Sequence, residues 1–366
     1  MTKNMSDVAE IALQAVTDLK SIALTELPFV SIIMPVRNEA KFITANLDRL
    51  RRQYYPADKI EIIIADGMSS DGTRDILSNF STCDPRIRVI DNLQGIVPTG
   101  FNAAVKQSRG DIVIRVDGHV TVAHDFVLQN VLTLREHPDA WGCGGPIRHV
   151  GLTTCGKAAA AAMSHPLGSG NAKHRFANFE GFGEGAAFPA FHRWVFDRIG
   201  YFDENLIRTE DDEFDYRIRR AGGKVYISQN IRASYFVRDR LSLLYRQYQQ
   251  YSFWRIPVIQ KHRRPTTLRQ MVPILFYVTM LVLVITGFML RRPMLALALP
   301  TFYGFALAIA GSLLLRKLGW RVAMLLPLAI AVMHAGYASG MIYGIWALCF
   351  RPNAWSRHDR MAKLSR

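Results

Sequence analysis

The first two thirds of the chain alternate short runs of β-branched residues with stretches of helical periodicity. The apolar runs lie at 29–36, 60–65, 86–90 and 111–116, and the helical patterns lie at 40–53, 74–80 and 99–107. Nearly continuous apolar strands separated by helices are typical of a parallel sheet that is covered on both faces. The pattern therefore predicts an α/β domain over residues 28–235.

The last quarter of the chain is apolar over long stretches. Residues 271–290, 294–315 and 322–350 contain no Asp, Glu, Lys or Arg, and each run is long enough to cross a hydrocarbon core of about 30 Å. We therefore predict three transmembrane segments within 271–350. In the third run, glycines recur at every fourth residue from 336 to 344. This spacing suits close helix packing, and the ordinary tolerance of glycine in membrane helices is the alternative explanation.

The segments that flank the apolar runs predict the cellular location. Residues 1–27 lack the pattern of a cleaved signal peptide. Residues 236–270 mix aromatic and basic residues at helical spacing, as an amphipathic linker at a membrane interface does, and residues 351–366 form a basic tail. These features predict a multi-pass membrane protein whose α/β domain lies in the cytoplasm. Three spans would place the basic tail outside, against the positive-inside tendency, so its orientation stays open.

A formal net charge of +15 suits either a nucleic acid or an anionic membrane as partner. Lys261, Arg263, Arg264 and Arg269 directly precede the first apolar run. Basic residues in that position favour a lipid bilayer with anionic head groups, and no nucleic-acid-binding motif accompanies them. We therefore expect a bilayer as partner and no nucleic acid.

Polar residues follow three of the predicted strands. The turns are PVRNE at 35–39, DGMSSDGT at 66–73 and DGH at 117–119, and in open α/β sheets ligands bind beyond these strand ends. Ordinary turn chemistry also places Asp, Gly and Ser there. Asp117 and His119 nevertheless offer an oxygen and a nitrogen two residues apart, a donor set compatible with Mn²⁺ or Mg²⁺ when phosphates supply the other ligands.

The stretch RTEDDEFDYRIRR at 208–220 sets five carboxylates among four arginines. A purely structural interpretation is a helix with Thr209 as its N-cap and an acidic first turn. Glu213 with Arg217 and Asp215 with Arg219 then form exposed ion pairs four residues apart. Phe214, Ile218 and Ala221 form an apolar stripe, and Gly222-Gly223 ends the helix. A second acidic site for chemistry is the alternative.

These motifs together resemble family 2 glycosyltransferases of the nucleotide-diphospho-sugar transferase (GT-A) fold. The resemblance covers residues 28 to about 255 through VSIIMPVRNE, IIIADGMSSDGT, GDIVIRVDGH, the segment from FGEGAAFPAF to RRAGGKVY, and QYSFW. Within the family, the RVDGH turn, the DDEF helix start and RQYQQY resemble bacterial membrane-attached glucosyltransferases of succinoglycan-type exopolysaccharide synthesis.

The resemblance implies roles for single residues. The strand end at 35–39 and Asp66 would hold the uridine, and Asp117 with His119 would bind the metal. The family normally has Asp-x-Asp at that turn, so the histidine leaves the metal's identity open. Asp211 and Asp212 would form the catalytic set, with Asp211 as the base and Asp212 as either a helix cap or a partner in this second acidic site. The substrate-binding set implied in this way is Pro35, Arg37, Glu39, Asp66, Arg115, Gln250 and Trp254.

Two further segments bear on the reaction. Residues 250–254 resemble the Gln-x-x-Arg-Trp element of processive synthases, but Phe253 replaces the arginine, which argues against processive polymerisation. The glycine-rich run at 181–190 lacks the spacing of a phosphate loop. It predicts a surface loop, and the resemblance implies a loop on the acceptor side.

The predicted function is inverting transfer of a hexose, with glucose the favoured sugar, from a UDP-sugar to a polyprenyl-diphosphate-linked saccharide in exopolysaccharide synthesis. A divalent cation, Mn²⁺ or Mg²⁺, is the expected cofactor. Direct transfer to polyprenyl phosphate or another lipid acceptor is an alternative of the same class. An inactive nucleotide-binding membrane scaffold or transport component is an alternative of another class.

Overall fold

The computed structural model describes residues 27–351, 354 and 355. The predictions for the N-terminal segment 1–27 and for the basic tail 351–366 therefore fall almost entirely outside the described residues.

Eleven strands occur in the described residues, and eight of them form one sheet in the order β3-β2-β1-β4-β9-β6-β10-β8. The pairs β3-β2, β2-β1, β1-β4 and β6-β10 are parallel, which confirms the prediction of a mostly parallel sheet. The strands are β1 Val30–Val36, β2 Ile60–Asp66, β3 Ile87–Asp91, β4 Ile112–Arg115, β5 Val120–Val122, β6 Gly142–Gly145, β7 Ile147–Val150, β8 Gly181–Gly183, β9 Ala187–His192, β10 Val225–Ile227 and β11 Ala233–Phe236.

Thirteen α-helices occur in the same part of the chain, together with single 3₁₀ turns at Ala57–Lys59, Lys173–Arg175 and Leu268–Met271. The helices are α1 Ala40–Arg51, α2 Thr73–Cys83, α3 Val97–Gln107, α4 Phe126–Glu136, α5 Thr154–Met163, α6 Pro166–Ser169, α7 Arg193–Ile199, α8 Glu210–Arg220, α9 Leu241–His262, α10 Val272–Met289, α11 Pro293–Leu313, α12 Leu315–Leu318 and α13 Trp320–Phe350.

The central strands are buried on both faces. All seven residues of β1 and of β2 are buried. Along β1, Ile32 and Met34 join one apolar cluster with Leu47 of α1, while Ile33 joins the opposite cluster with Phe101 of α3. This alternation follows from the two-residue period of a strand. It places helices on both faces and leaves the strand ends open at the sheet's edge.

The prediction of a surface loop at 181–190 was wrong. Residues 181–183 form edge strand β8, and residues from 187 onward form β9, which pairs antiparallel with β4 and β6. A Cβ placed on Gly142 of β6 would lie 2.3 Å from the Phe191 ring of β9. The glycines therefore make room for neighbouring side chains, and this removes the apolar alternation by which a strand is recognised in a sequence.

The chain divides into two compact units. The first contains residues 27–148, 176–205 and 210–235, and the second contains 149–175, 206–209 and the chain from 236 onward. One boundary between the units lies after Tyr235, and two inner segments belong with the C-terminal helices. The second unit includes three helical stretches that are long and apolar enough to cross a membrane, Leu268–Met289, Pro293–Leu313 and Trp320–Phe350.

Within the second unit, α9 packs along α13. A Cβ on Gly340 of α13 would lie 2.0 Å from the carbonyl oxygen of Gln249, and one on Gly336 would lie 2.5 Å from the carbonyl of Tyr245. The glycine face predicted for close helix packing is therefore confirmed, and its partner is α9. Side chains of α10 and α11 remain largely uncovered, with Phe288 and Met294 both 85% exposed.

Candidate active site

The loop after β2 is organised around Asp66, whose side chain is fully buried. Ser69 donates to it from its hydroxyl at 2.6 Å and from its backbone N–H at 3.3 Å, and Arg74 donates from Nη1 at 3.2 Å. Arg74 also pairs with Asp91. The Asp66 carboxylate thus fixes the shape of the loop that the resemblance assigns to the uridine.

The turn after β1 lies beside this loop. Pro35 is buried within β1 opposite Ala65 of β2, whereas Arg37 is exposed and donates from Nη1 to the carbonyl oxygen of Gly95 at 3.2 Å. Asn38 adopts a φ of 56° and accepts from the N–H of Ser70 at 2.8 Å. The structure therefore brings together the ends of β1 and β2, which were predicted to hold the uridine of the donor. Arg37 is an exposed cation at this edge of the sheet.

The turn after β4 carries the two predicted metal ligands. Asp117 accepts from Nε of Arg115 at 3.1 Å, and the imidazole of His119 lies 3.1 Å from the Glu39 carboxylate. No group of three or more His, Cys, Asp or Glu within 27–351 could hold a metal ion. The turn therefore supplies two candidate metal ligands, a carboxylate oxygen of Asp117 and an imidazole nitrogen of His119. A cation bound there needs further oxygen ligands from a phosphate or water.

Helix α8 begins with the acidic run that follows Thr209. Glu210 is buried, and its Oε1 accepts from Arg115 Nη2 at 3.2 Å. Burial, followed by the nearby charge of Asp211, raises the pKa of Glu210 to about 7. The pKa of Arg115 is raised because it faces Asp117, Glu210 and Asp211, although burial opposes this. One guanidinium therefore connects the turn after β4 to the start of α8.

Asp211 is the predicted base, and its side chain is exposed to solvent. Protein surrounding the carboxylate still removes enough hydration to raise its pKa, and the charge of Asp212 raises it further. The carboxylate accepts from the backbone N–H of Asp212 at 2.8 Å. An accessible carboxylate with a raised pKa suits general-base chemistry, because a proton acceptor works best when its pKa approaches the working pH.

The structural interpretation of the 208–220 stretch needs three corrections. Thr209 is not a side-chain cap, because its φ is 62° and its hydroxyl donates to the carbonyl oxygens of Arg208 and Trp254. The Glu213–Arg217 pair is present at 2.9 Å, but Glu213 is fully buried rather than exposed. Ala221 is exposed and leaves the apolar stripe.

The second ion pair predicted on α8, Asp215 with Arg219, was expected to be exposed, but Asp215 is half-buried. Burial and the charge of Asp211 raise the pKa of Asp215 well above its usual range, although Arg219 opposes the shift. A Cβ on Gly185 would lie 1.8 Å from the Asp215 carboxylate. The glycine of the GEG sequence therefore lets the backbone approach this acid, a role that sequence reasoning missed.

The predicted aromatic and amide substrate contacts lie in the second unit. Gln250 and Trp254 are both fully buried on α9. Phe253, which replaces the arginine of the processive element, stacks on Tyr343 and Trp355 with ring centroids 5.3 and 5.4 Å apart. In the described residues this segment therefore serves helix packing, and its roles in binding substrate remain predictions.

Sequence reasoning also missed the contacts that connect the two acidic sites. Glu210 was interpreted as part of an acidic first turn, and Arg115 was assigned to substrate without a partner. A buried arginine at the end of an apolar strand is itself a signal, because it requires carboxylates around it.

A mostly parallel sheet with Asp117 and His119 at the end of β4 and an exposed carboxylate at the start of α8 is the arrangement expected of the class of GT-A glycosyltransferases. The family model described as Glycosyl transferase family 2 matches residues 31–197. A succinoglycan biosynthesis protein, ExoA of Rhizobium meliloti, is 33% identical over 66% of this chain and 74% of its own length. The chain belongs to glycosyl transferase family 2, and it is a glycosyltransferase.

Two further comparisons extend over most of the chain. A dolichyl N-acetyl-glucosaminyl phosphate diacetamido-dideoxy-glucuronosyltransferase of Methanococcus voltae is 27% identical over 86% of this chain and 98% of its own. The solved structure of the mannosyltransferase PcManGT from Pyrobaculum calidifontis, in complex with GDP-Man and Mn²⁺, superposes with a TM-score of 0.57 at 18% identity and covers 93% of this chain and 95% of that one. This similarity confirms the GT-A fold.

Proposed function

We propose that the protein transfers a hexose, with glucose the favoured sugar, from a UDP-sugar to a polyprenyl-diphosphate-linked saccharide, with inversion. The observation that carries the proposal is the arrangement around Arg115, which lies 3.1 Å from Asp117 on one side and 3.2 Å from Glu210 on the other. This arrangement connects a turn suited to the donor diphosphate with the start of α8, where Asp211 follows Glu210 in the chain.

In this reaction the acceptor hydroxyl attacks the anomeric carbon of the donor sugar while Asp211 takes the hydroxyl proton. The bond between that carbon and the diphosphate oxygen breaks as the new glycosidic bond forms, and UDP leaves with the bonding electrons. Attack from the face opposite the leaving group inverts the configuration. Asp212 donates its backbone N–H to Asp211, which orients the base.

Asp117 and His119 suit a divalent cation, since a carboxylate oxygen and an imidazole nitrogen are ligands that Mn²⁺ and Mg²⁺ accept with phosphate oxygens. A bound cation would neutralise charge on the leaving diphosphate. The protein itself holds these two ligand side chains on one short turn after β4. The Mn²⁺ in the complex of the Pyrobaculum mannosyltransferase supports this assignment.

Features of the second unit support a lipid-linked acceptor. Three helical stretches are long and apolar enough to cross a bilayer, and basic residues at 261, 263 and 264 precede the first of them. The names of the Rhizobium and Methanococcus relatives refer to succinoglycan biosynthesis and to a dolichyl N-acetyl-glucosaminyl phosphate. We therefore place the protein in the cell inner membrane as a multi-pass protein in contact with anionic head groups, with its catalytic unit in the cytoplasm and a role in exopolysaccharide synthesis.

A screen of UDP-hexoses against lipid extracts tests the proposal. Purified protein in detergent is mixed with each donor and with either polyprenyl-diphosphate saccharides or polyprenyl phosphate, and products are identified by mass spectrometry. We expect one added hexose on the diphosphate-linked saccharide. Product on polyprenyl phosphate alone would establish the second acceptor class. Nucleotide binding without turnover on any acceptor would support the inactive scaffold and contradict the proposal.

A further inference from the structure

Glu39 follows β1 at the strand end assigned to the uridine, but its carboxylate has a different contact. Its Oε1 lies 3.1 Å from Nδ1 of His119, and both side chains are largely buried, with 11% and 20% of their surfaces exposed. An ionised carboxylate can only accept hydrogen bonds. With the Glu39 carboxylate as acceptor, this contact requires the imidazole N–H on Nδ1, so it selects the tautomer that leaves Nε2 without a proton.

The other ring nitrogen of His119 is left with its lone pair. Nε2 makes no hydrogen bond to any residue within 27–351, and the other contact of the ring is an edge-on approach to Tyr235 with centroids 5.7 Å apart. An imidazole whose Nδ1–H is held by a carboxylate is oriented to bind a metal through Nε2, and the carboxylate also makes that nitrogen more basic.

The backbone holds Glu39 and His119 together. A Cβ on Gly118 would lie 3.0 Å from Val36 Cγ1 and 3.1 Å from Glu39 Cγ. The carbonyl oxygen of Gly118 accepts from Nδ2 of Asn46 on α1. Glycine at this position therefore allows the DGH turn to pack directly against the Glu39 side chain, and a larger residue would push the two apart.

We propose that Glu39 is a positioning residue, which holds His119 so that its Nε2 ligates the divalent cation of the donor complex. The proposal rests on the function proposed above. A nitrogen ligand makes the site better suited to Mn²⁺ than to Mg²⁺, which prefers oxygen alone.

The test measures Mn²⁺ binding rather than turnover. Free Mn²⁺ is titrated by electron paramagnetic resonance against the full-length protein in the presence of UDP, and pulsed measurements detect nitrogen bound to the metal. We expect a histidine nitrogen coupling in the unaltered protein. Glu39→Gln should weaken Mn²⁺ binding about 10- to 100-fold, because an amide can donate to Nδ1 and release the tautomer.

A double-mutant cycle separates positioning from a direct effect of Glu39. In a His119→Ala background, Glu39→Gln should cause no further loss of Mn²⁺ affinity. Asp58→Asn is the control, since it removes the same charge from an exposed position outside the turn and should leave Mn²⁺ affinity unchanged.

Three results would overturn the proposal. Equal losses from Glu39→Gln with and without His119 would show that Glu39 acts independently of the histidine. Tight Mn²⁺ binding without nitrogen coupling would remove His119 as a ligand while leaving the proposed transferase function intact. No Mn²⁺ binding by the unaltered protein with UDP would remove the metal from both proposals.

Discussion

The two units of the chain differ most sharply in charge. The sequence of the second unit, at 149–175, 206–209 and 236–366, contains 22 Lys and Arg but only two Asp and Glu, whereas the rest of the chain contains 23 against 28. The net charge of +15 therefore belongs entirely to the second unit, and the first is acidic. A single average over the chain hides both properties.

The units differ in packing as well. The central strands of the first unit are completely buried, while the second unit exposes large apolar side chains such as Phe302 at 71% and Leu313 at 75%. Exposed apolar helices flanked by cations suit a bilayer with anionic head groups. The contrast agrees with the division of roles in the function proposed above, in which the acidic unit performs the chemistry and the basic unit serves the lipid-linked acceptor.

The largest effect should come from removing the base. Asp211→Asn should lower turnover about 10²- to 10⁴-fold and leave UDP affinity nearly intact, since a base acts on the acceptor and not on the nucleotide. Turnover is measured as UDP release and affinity by calorimetry. Asp212→Asn is the matched control, because it removes the same charge from the neighbouring residue of α8. Retained turnover in pure Asp211→Asn would transfer the role to Asp212.

The next effect concerns the arginine that connects the acidic sites. Arg115→Met leaves Asp117 and Glu210 without their shared cation, and loss of one partner of a buried ion pair costs about 3–5 kcal/mol in free energy of unfolding. Thermal unfolding at pH 8, where Glu210 is ionised, should show a markedly lower Tm. Arg115→Lys keeps the positive charge and should recover part of the lost Tm. An unchanged Tm in Arg115→Met would contradict a structural role for the ion pairs.

Glu210 gives the stability of the first unit a pH dependence. Burial, reinforced by the charge of Asp211, raises the pKa of Glu210 from 4.5 to about 7, so the folded state keeps a proton that the unfolded state loses. The contribution of protonated Glu210 to the free energy of unfolding is complete below about pH 4.5. It is lost as the pH rises through 7, a change of roughly 3 kcal/mol. Glu210→Gln should flatten this part of the Tm profile. A profile identical to that of the unaltered protein would refute the assignment.

The smallest effect is expected in the basic unit. Lys261, Arg263 and Arg264 are exposed, and each cation near an anionic surface contributes on the order of 1 kcal/mol. Replacing all three with Gln should weaken binding to anionic vesicles and raise the KM for the lipid acceptor, while hydrolysis of the UDP-sugar stays unchanged.

The control for that triple variant removes the same charge from the acidic unit. Lys41, Arg49 and Arg52 are exposed on and just after α1, and their replacement with Gln should leave vesicle binding unchanged. Equal losses from both triple variants would show that net charge, and not its position, governs the interaction with lipid.

Sequence patterns predicted the parts of the fold in which local preference and burial agree. Strands β1, β2 and β4 are mostly apolar, and the helices between them have clear periodicity, so all were predicted within a few residues. Strands β6 and β8 were missed because glycines at 142 and 183 make room for side chains of their neighbours. That packing is a property of the assembled sheet and not of either segment alone.

As with the fold, only part of the candidate site could be predicted from the sequence. The residue types that carry the chemistry, such as Asp117, His119 and Asp211, stand out in their turns. Their partners do not, because Glu39 lies 80 residues from His119 and Glu210 lies 95 residues from Arg115 in the sequence. Contacts at that separation depend on the strand order of the sheet, and no local pattern specifies it.

The most direct test of the account is the cation dependence of transfer to lipid. Labelled UDP-hexose and a polyprenyl-diphosphate saccharide are mixed with the protein in excess chelator, Mn²⁺ is then restored, and label in the lipid fraction is followed. The account predicts no labelled lipid in chelator and recovery with Mn²⁺ in the unaltered protein, but no recovery in Asp117→Ala. Full transfer in excess chelator would contradict the assignment of the acidic unit as a metal-dependent catalytic centre.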